Sequence, residues 1–236
     1  MTSNSDRRET GTGFGLMDLA TIVTVAGILA AAAMVWRAGP EGPLPMHFNA
    51  AGQVDRWGDR LDMAIVIATM GVVASAISIF CAVMERQVRD PAAERFTYRL
   101  GRIVGLAAPA LVALLMTAMT FGKLGGGSAG DGPFLRMMMG GIALLLLGMG
   151  AFLGRAKPNP VVGVRTYWSL RSRLAWDKSN RLAGRLFSLI GVVGLLATPF
   201  APLPWGFHSM MIAVIVAGLA SAVESWRVWR TDPERA

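Results

Sequence analysis

The chain has 236 residues, 53% of them hydrophobic and 16% charged, with a net charge of +8. A soluble domain usually carries about 25% charged residues, and here the charges fall in short blocks between long stretches almost without them. That pattern argues against a soluble fold, and against direct nucleic-acid binding as the purpose of the basic excess.

Crossing the hydrocarbon core takes roughly 20 predominantly apolar residues in a helix, because a helix satisfies its own backbone in lipid. Six such stretches occur: about Leu16–Trp36, Met63–Met84, Ile103–Phe121, Phe134–Leu153, Leu182–Phe200 and Phe207–Ser225. The expected fold is all-α, a polytopic membrane protein with six transmembrane helices. The organisation reads as a cytoplasmic N-terminus (1–15), three spans with an outward loop at about 38–62 (16–121), three spans with a cytoplasmic loop at about 155–181 (122–225), and a tail (226–236). Ala30–Ala33 resembles a small-residue cleavage site. The first apolar run is nevertheless longer than a signal core, and Asp6 and Glu9 stand beside Arg7 and Arg8 before it, so it reads as a retained helix.

The first connection contains Pro43, Pro45, His47, Phe48, Asn49, Gly52, Asp55 and Trp57. The prolines stiffen its start. Asn49-Ala-Ala-Gly52 reads as a turn, and Asp55 can cap the backbone or pair with Arg56 or Arg60. His47, Phe48 and Trp57 suit the headgroup level. The loop should therefore be ordered and folded onto the bundle, as a structural element or a recognition surface. As metal ligands His47, Asn49 and Asp55 are a thin set, since structural zinc wants four ligands. No metal and no cofactor is expected.

Within the spans, Cys81 stands alone and cannot form an intrachain disulfide. Small residues four apart, such as Gly101/Gly105 and Gly150/Gly154, permit close helix approach. The run Met137–Met139 reads as adaptable core filler. Asp18, Arg185 and Glu224 lie near one set of helix ends, and Arg136 and His208 near the other, where anchoring or end-pairing suits them. The absence of a midplane carboxylate disfavours an ion-coupled transporter. The third connection, Gly122–Gly132, is glycine-rich and reads as a flexible link.

In the fourth connection Pro158 and Pro160 disfavour helix. From about Ser169, a candidate N-cap, a short helix with Leu170, Leu174 and Trp176 on one side and Arg171, Arg173 and Lys178 on the other would suit a basic interface. That helix would anchor to anionic lipid or dock a cytoplasmic partner. Under alternating sides, eighteen Lys and Arg fall with the termini and the second and fourth connections, against five on the other side. The positive-inside rule then places both termini in the cytoplasm.

At these two loops the sequence resembles the SdpI family, six-span bacterial membrane proteins associated with immunity to a secreted peptide toxin. The first match is Pro45-Met-His-Phe-Asn-Ala-Ala-Gly-Gln-Val-Asp-Arg-Trp-Gly58. The second is Asn159-Pro-Val-Val-Gly-Val-Arg-Thr-Tyr-Trp-Ser-Leu170, then Trp176 and Asn180-Arg-Leu-Ala-Gly184. Asn180 stands where the family stretch has His, and Tyr167 where Pro is frequent. The resemblance implies one motif of His47, Asn49, Gly52 and Asp55, for ligand or toxin sensing. It implies a second motif of Asn159, Gly163, Arg165, Thr166 and Trp176, for partner or lipid contact. It further implies residence in the bacterial cytoplasmic (inner) membrane and protection against a membrane-active peptide. The partners it implies are membrane lipid, a secreted toxin and a cytoplasmic transcriptional repressor. No enzyme is expected, because His-Glu-x-x-His, Gly-x-Ser-x-Gly and an intramembrane aspartate pair are all missing. The alternative function is an uncoupled transporter or channel for a small hydrophobic or peptide ligand.

Overall fold

Each of the six apolar stretches folds as a helix long and apolar enough to cross a membrane. The structure, a computed structural model, describes residues 14–87, 91–122, 133–159 and 162–235. Arg7, Arg8, Arg89, residues 123–132 of the glycine-rich link, Pro160 and the Arg95 side chain lie outside the described residues. In chain order the elements are α1 (Leu16–Ala38), β1 (Leu44–Phe48), β2 (Val54–Gly58), α2 (Arg60–Gln87), α3 (Pro91–Thr120), α4 (Pro133–Leu153), α5 (Tyr167–Leu170), α6 (Arg173–Ala197) and α7 (Trp205–Thr231).

The burial pattern is that of a bundle in lipid. Large apolar side chains on the helices point outward, among them Ile22, Val72, Leu144, Leu196 and Val223. Ser78, Ser179 and Ser221 are wholly buried between helices. In water such an apolar surface would drive association. In hydrocarbon it is matched to its solvent, and small or hydroxyl residues serve the helix contacts instead.

Helices α1, α2 and α3 pack together, α4, α6 and α7 pack together, and α3 meets α4. The first set buries Ile28, Val35, Met63, Ile67 and Leu106. The second buries Met139, Ala143 and Met210. Between the sets, Leu115 and Phe134 form a joint with Phe48 packed on it. The contact of α4 with α6 is backbone on backbone: a Cβ on Gly150 would lie 2.5 Å from the Ser188 nitrogen and 2.6 Å from the Gly184 carbonyl oxygen. Only hydrogen fits there, so Gly150 does allow the close approach expected of it.

Two helix boundaries depart from expectation. The fifth span starts at Arg173, not near Leu182. There is also no separate surface helix capped by Ser169. The one-turn helix α5 is capped by Thr166, Arg171 breaks off at ψ 0°, and Ser172 turns extended to cap α6 by accepting from the Ala175 N–H. Serine and threonine compete for backbone bonds at helix starts, and here three of them in seven residues start two helices instead of one. Trp176 accordingly belongs to a spanning helix and is fully buried. The second departure is at Arg102, which the expected third span, beginning near Ile103, leaves in the second connection among the eighteen basic residues. It lies inside α3, only 5% exposed.

Candidate functional site

At one end of the bundle the first connection is a hairpin. Strands β1 and β2 pair antiparallel, with Leu44 opposite Gly58 and Phe48 opposite Val54. The turn closes because Asn49 uses its side chain as a second backbone: Asn49 Oδ1 accepts the N–H groups of Ala51 and Gln53 at 2.9 and 3.0 Å. Gly52 takes φ +77°, which a side chain would strain. The base of the hairpin is held down by Leu44, buried among Val35, Met63 and Ile67. Phe48 stacks on Phe134 of α4 at 5.4 Å between ring centres. At the tip, the His208 ring of α7 bonds the Ala50 carbonyl, and Gly52 faces Pro204 in the α6–α7 connection. The hairpin thus rests on elements of both helix sets.

Asn49 and Gly52 therefore build the turn. His47 and Asp55 remain exposed, with His47 Nδ1 and Asp55 Oδ1 2.6 Å apart. Asp55 pairs with His47, not with Arg56 or Arg60. The reason is register: the irregular pairing of the strands brings both side chains to one face. The Asp55 carboxylate fixes the imidazole through Nδ1 and leaves Nε2 without a hydrogen bond among the described residues. Such a dyad offers an oriented donor or acceptor plus a negative charge. Among the described residues no cluster of three or more potential ligands forms.

The opposite end carries the loop between α4 and α6. Asn159 folds its own segment, donating to the Lys157 and Val162 carbonyls and accepting from the Val162 N–H at 2.7 Å. Gly163 at φ +130° lies flat on α6, where a Cβ would come within 2.7 Å of Asn180 Oδ1 and 2.9 Å of the Trp176 ring. Asn180 Oδ1 accepts the Val164 N–H at 2.8 Å, and Trp176 Nε1–H donates to the Ala156 carbonyl at 2.7 Å. Thr166 and Ser169 exchange side-chain and backbone bonds, and the Thr166 hydroxyl meets that of Ser225 on α7 at 2.6 Å. Ser172 also bonds the Asp232 carboxylate just beyond α7. Hydrogen bonds from the Ser172 hydroxyl and the Glu234 N–H hold the Asp232 carboxyl below the usual carboxylate range.

Four of the five residues expected at this loop, Asn159, Gly163, Thr166 and Trp176, are thus spent on folding it. Arg165 differs: it is exposed and makes no hydrogen bond among the described residues. It is one of the cations this loop presents, together with Arg155, Lys157 and Arg171. Sequence reasoning passed over Asn180, Ser169, Ser225 and Asp232 as partners. Asn180 and Ser169 fall within the quoted motif and could have been found there; Ser225 and Asp232 meet the loop from segments far apart in the chain.

Six membrane-length helices with a bonded hairpin at one end and a bonded loop at the other define a multi-pass membrane protein. The SdpI/YfhL protein family model matches residues 155–224, from the Arg165 loop to near the end of α7, and over this stretch the chain is similar to that family. No curated protein and no solved structure matches the chain.

Proposed function

We propose that the protein protects a bacterial cytoplasmic membrane against a membrane-active peptide, with the hairpin as the sensing surface and the Arg165 loop as the reporting surface. The role is one of binding, without a catalytic step. The observation that carries this reading is that one helix pair touches both surfaces. The α6–α7 connection and the start of α7 hold the hairpin tip through Pro204 and His208. The far ends of α6 and α7 hold the Arg165 loop through Asn180 and Ser225. A peptide that engages His47 and Asp55 and lifts the hairpin would release a contact at one end of rigid helices whose other end positions Arg165. The charge asymmetry of the sequence supports Arg165 facing the cytoplasm, where an acidic patch on a repressor is the kind of surface it fits.

The test is survival of cells expressing the protein under challenge with a membrane-active peptide, with membrane levels of each variant measured by immunodetection. His47→Ala and Asp55→Ala should each abolish protection at unchanged protein level, and His208→Ala should weaken it. Full protection by both hairpin variants would remove the sensing role.

A further inference from the structure

Arg102 is the most buried cation among the described residues, and the hairpin and the Arg165 loop make no use of it. Its side chain is 6% exposed and crosses from α3 to α1 and α2. Nη2 donates to Asp18 Oδ1 at 2.7 Å and to Thr21 Oγ1 at 3.1 Å, and Nε donates to Ser78 Oγ at 3.1 Å. Thr21 and Ser78 are themselves 2.7 Å apart. Nη1 makes no hydrogen bond among the described residues. The guanidinium lines a cavity of about 560 Å³ between α1 and α2, together with Arg86 and a long apolar wall.

Three properties of this groove point to one occupant. The first is charge: Arg86 and Arg102 face it, with Asp18 as the one carboxylate among its described lining residues. Asp18 already accepts from Arg102 and from the Gly15 N–H, and the nearby Glu85 pairs with Arg99 at 3.5 Å. A monoanion would therefore be drawn to Nη1 of Arg102 and to Arg86. The second is length. From Asp18 to Leu29 a helix rises about 16 Å, close to half of the roughly 30 Å hydrocarbon core, so the groove runs through one leaflet. The third is polarity along that length. The charged groups sit at the mouth, and Ile22, Val25, Leu29, Ile79 and Val83 line the rest. Basic pockets between spanning helices are suited to anionic headgroups.

We propose that this groove is a binding site for an anionic phospholipid, its phosphate held by Arg102 Nη1 and Arg86 and one acyl chain laid between α1 and α2. The bound lipid completes the hydrogen bonding of a buried arginine and closes the seam between the two helices. The site stands independently of the sensing role.

Purified full-length protein in neutral detergent is titrated with phosphatidylglycerol, phosphatidylcholine or inorganic phosphate, and occupancy is read by native mass spectrometry. One phosphatidylglycerol should be retained, with phosphatidylcholine at least about fivefold weaker and phosphate alone not retained. Arg86→Gln, which leaves the Asp18–Arg102 pair in place, should weaken phosphatidylglycerol about fivefold. Ala26→Trp, at an exposed position on the groove wall, should weaken it comparably by filling the acyl track, and both variants should melt like the parent. Equal retention of the two lipids, or unchanged retention in both variants, would overturn the site. Retention of phosphate as strong as that of the lipid would overturn the acyl chain's part in it.

Discussion

Trp176→Phe tests whether the Arg165 loop is clamped to α6 through the Trp176 side chain. Trp176 is fully buried in α6, and its one polar atom, Nε1, donates to the Ala156 carbonyl at 2.7 Å. Phenylalanine keeps an aromatic ring in the slot but removes the donor, so the Ala156 carbonyl loses that bond. An orphaned buried acceptor costs about 1–3 kcal/mol, and the lost pyrrole portion leaves a void worth about 1 kcal/mol more. The sum is about 2–4 kcal/mol. In a chain of this size each kcal/mol lowers the melting midpoint by about 2–4 °C, so a fall of at least about 4 °C is expected. Thermal unfolding of the purified protein, followed by far-ultraviolet circular dichroism, measures it. Arg165→Ala is the control: an exposed side chain without hydrogen bonds among the described residues should change stability by no more than about 0.5 kcal/mol. Midpoints of Trp176→Phe and the parent that agree within error would refute the clamp.

Gly150→Val places carbon atoms where the Ser188 nitrogen and Gly184 carbonyl already stand. Overpacking of this kind costs about 1–3 kcal/mol or more, so the variant should be recovered from membranes in reduced yield. Gly148→Ala, which meets nothing within 4 Å on the same helix, should be recovered normally. Asp232 contributes a pH dependence. Its folded pKa lies below the ordinary value of 3.8, so its stabilising effect is complete above about 3.8 and is lost as pH falls through the folded value. Melting midpoints measured between pH 3 and pH 6 should fall at the acid end, and Asp232→Asn should flatten that fall; an equally steep fall in the variant would show that other groups cause it.

The six helices were legible in the sequence because lipid leaves a backbone few alternatives. A run of apolar residues as long as Met63–Met84 must bond internally, and a helix is the way a single run can do so. The turn at Asn49–Gly52 was legible for the same local reason: the Asn side chain and a glycine at positive φ satisfy neighbours a few residues away. Tertiary structure decided what those residues were for. The sequence named His47 and Asp55 together, but strand register made them a pair and left Asn49 and Gly52 as scaffold. Trp176 looked like the apolar face of a surface helix until Ser172, bonded to Asp232 from the far end of the chain, set the true start of α6 and buried it. Arg102 looked like one more basic loop residue, because nothing local marks it. Its place is set by Asp18 and Ser78, 84 and 24 positions away. Local chemistry chooses the elements in such a chain, whereas the uses of its polar side chains depend on partners that only the packed bundle brings within reach.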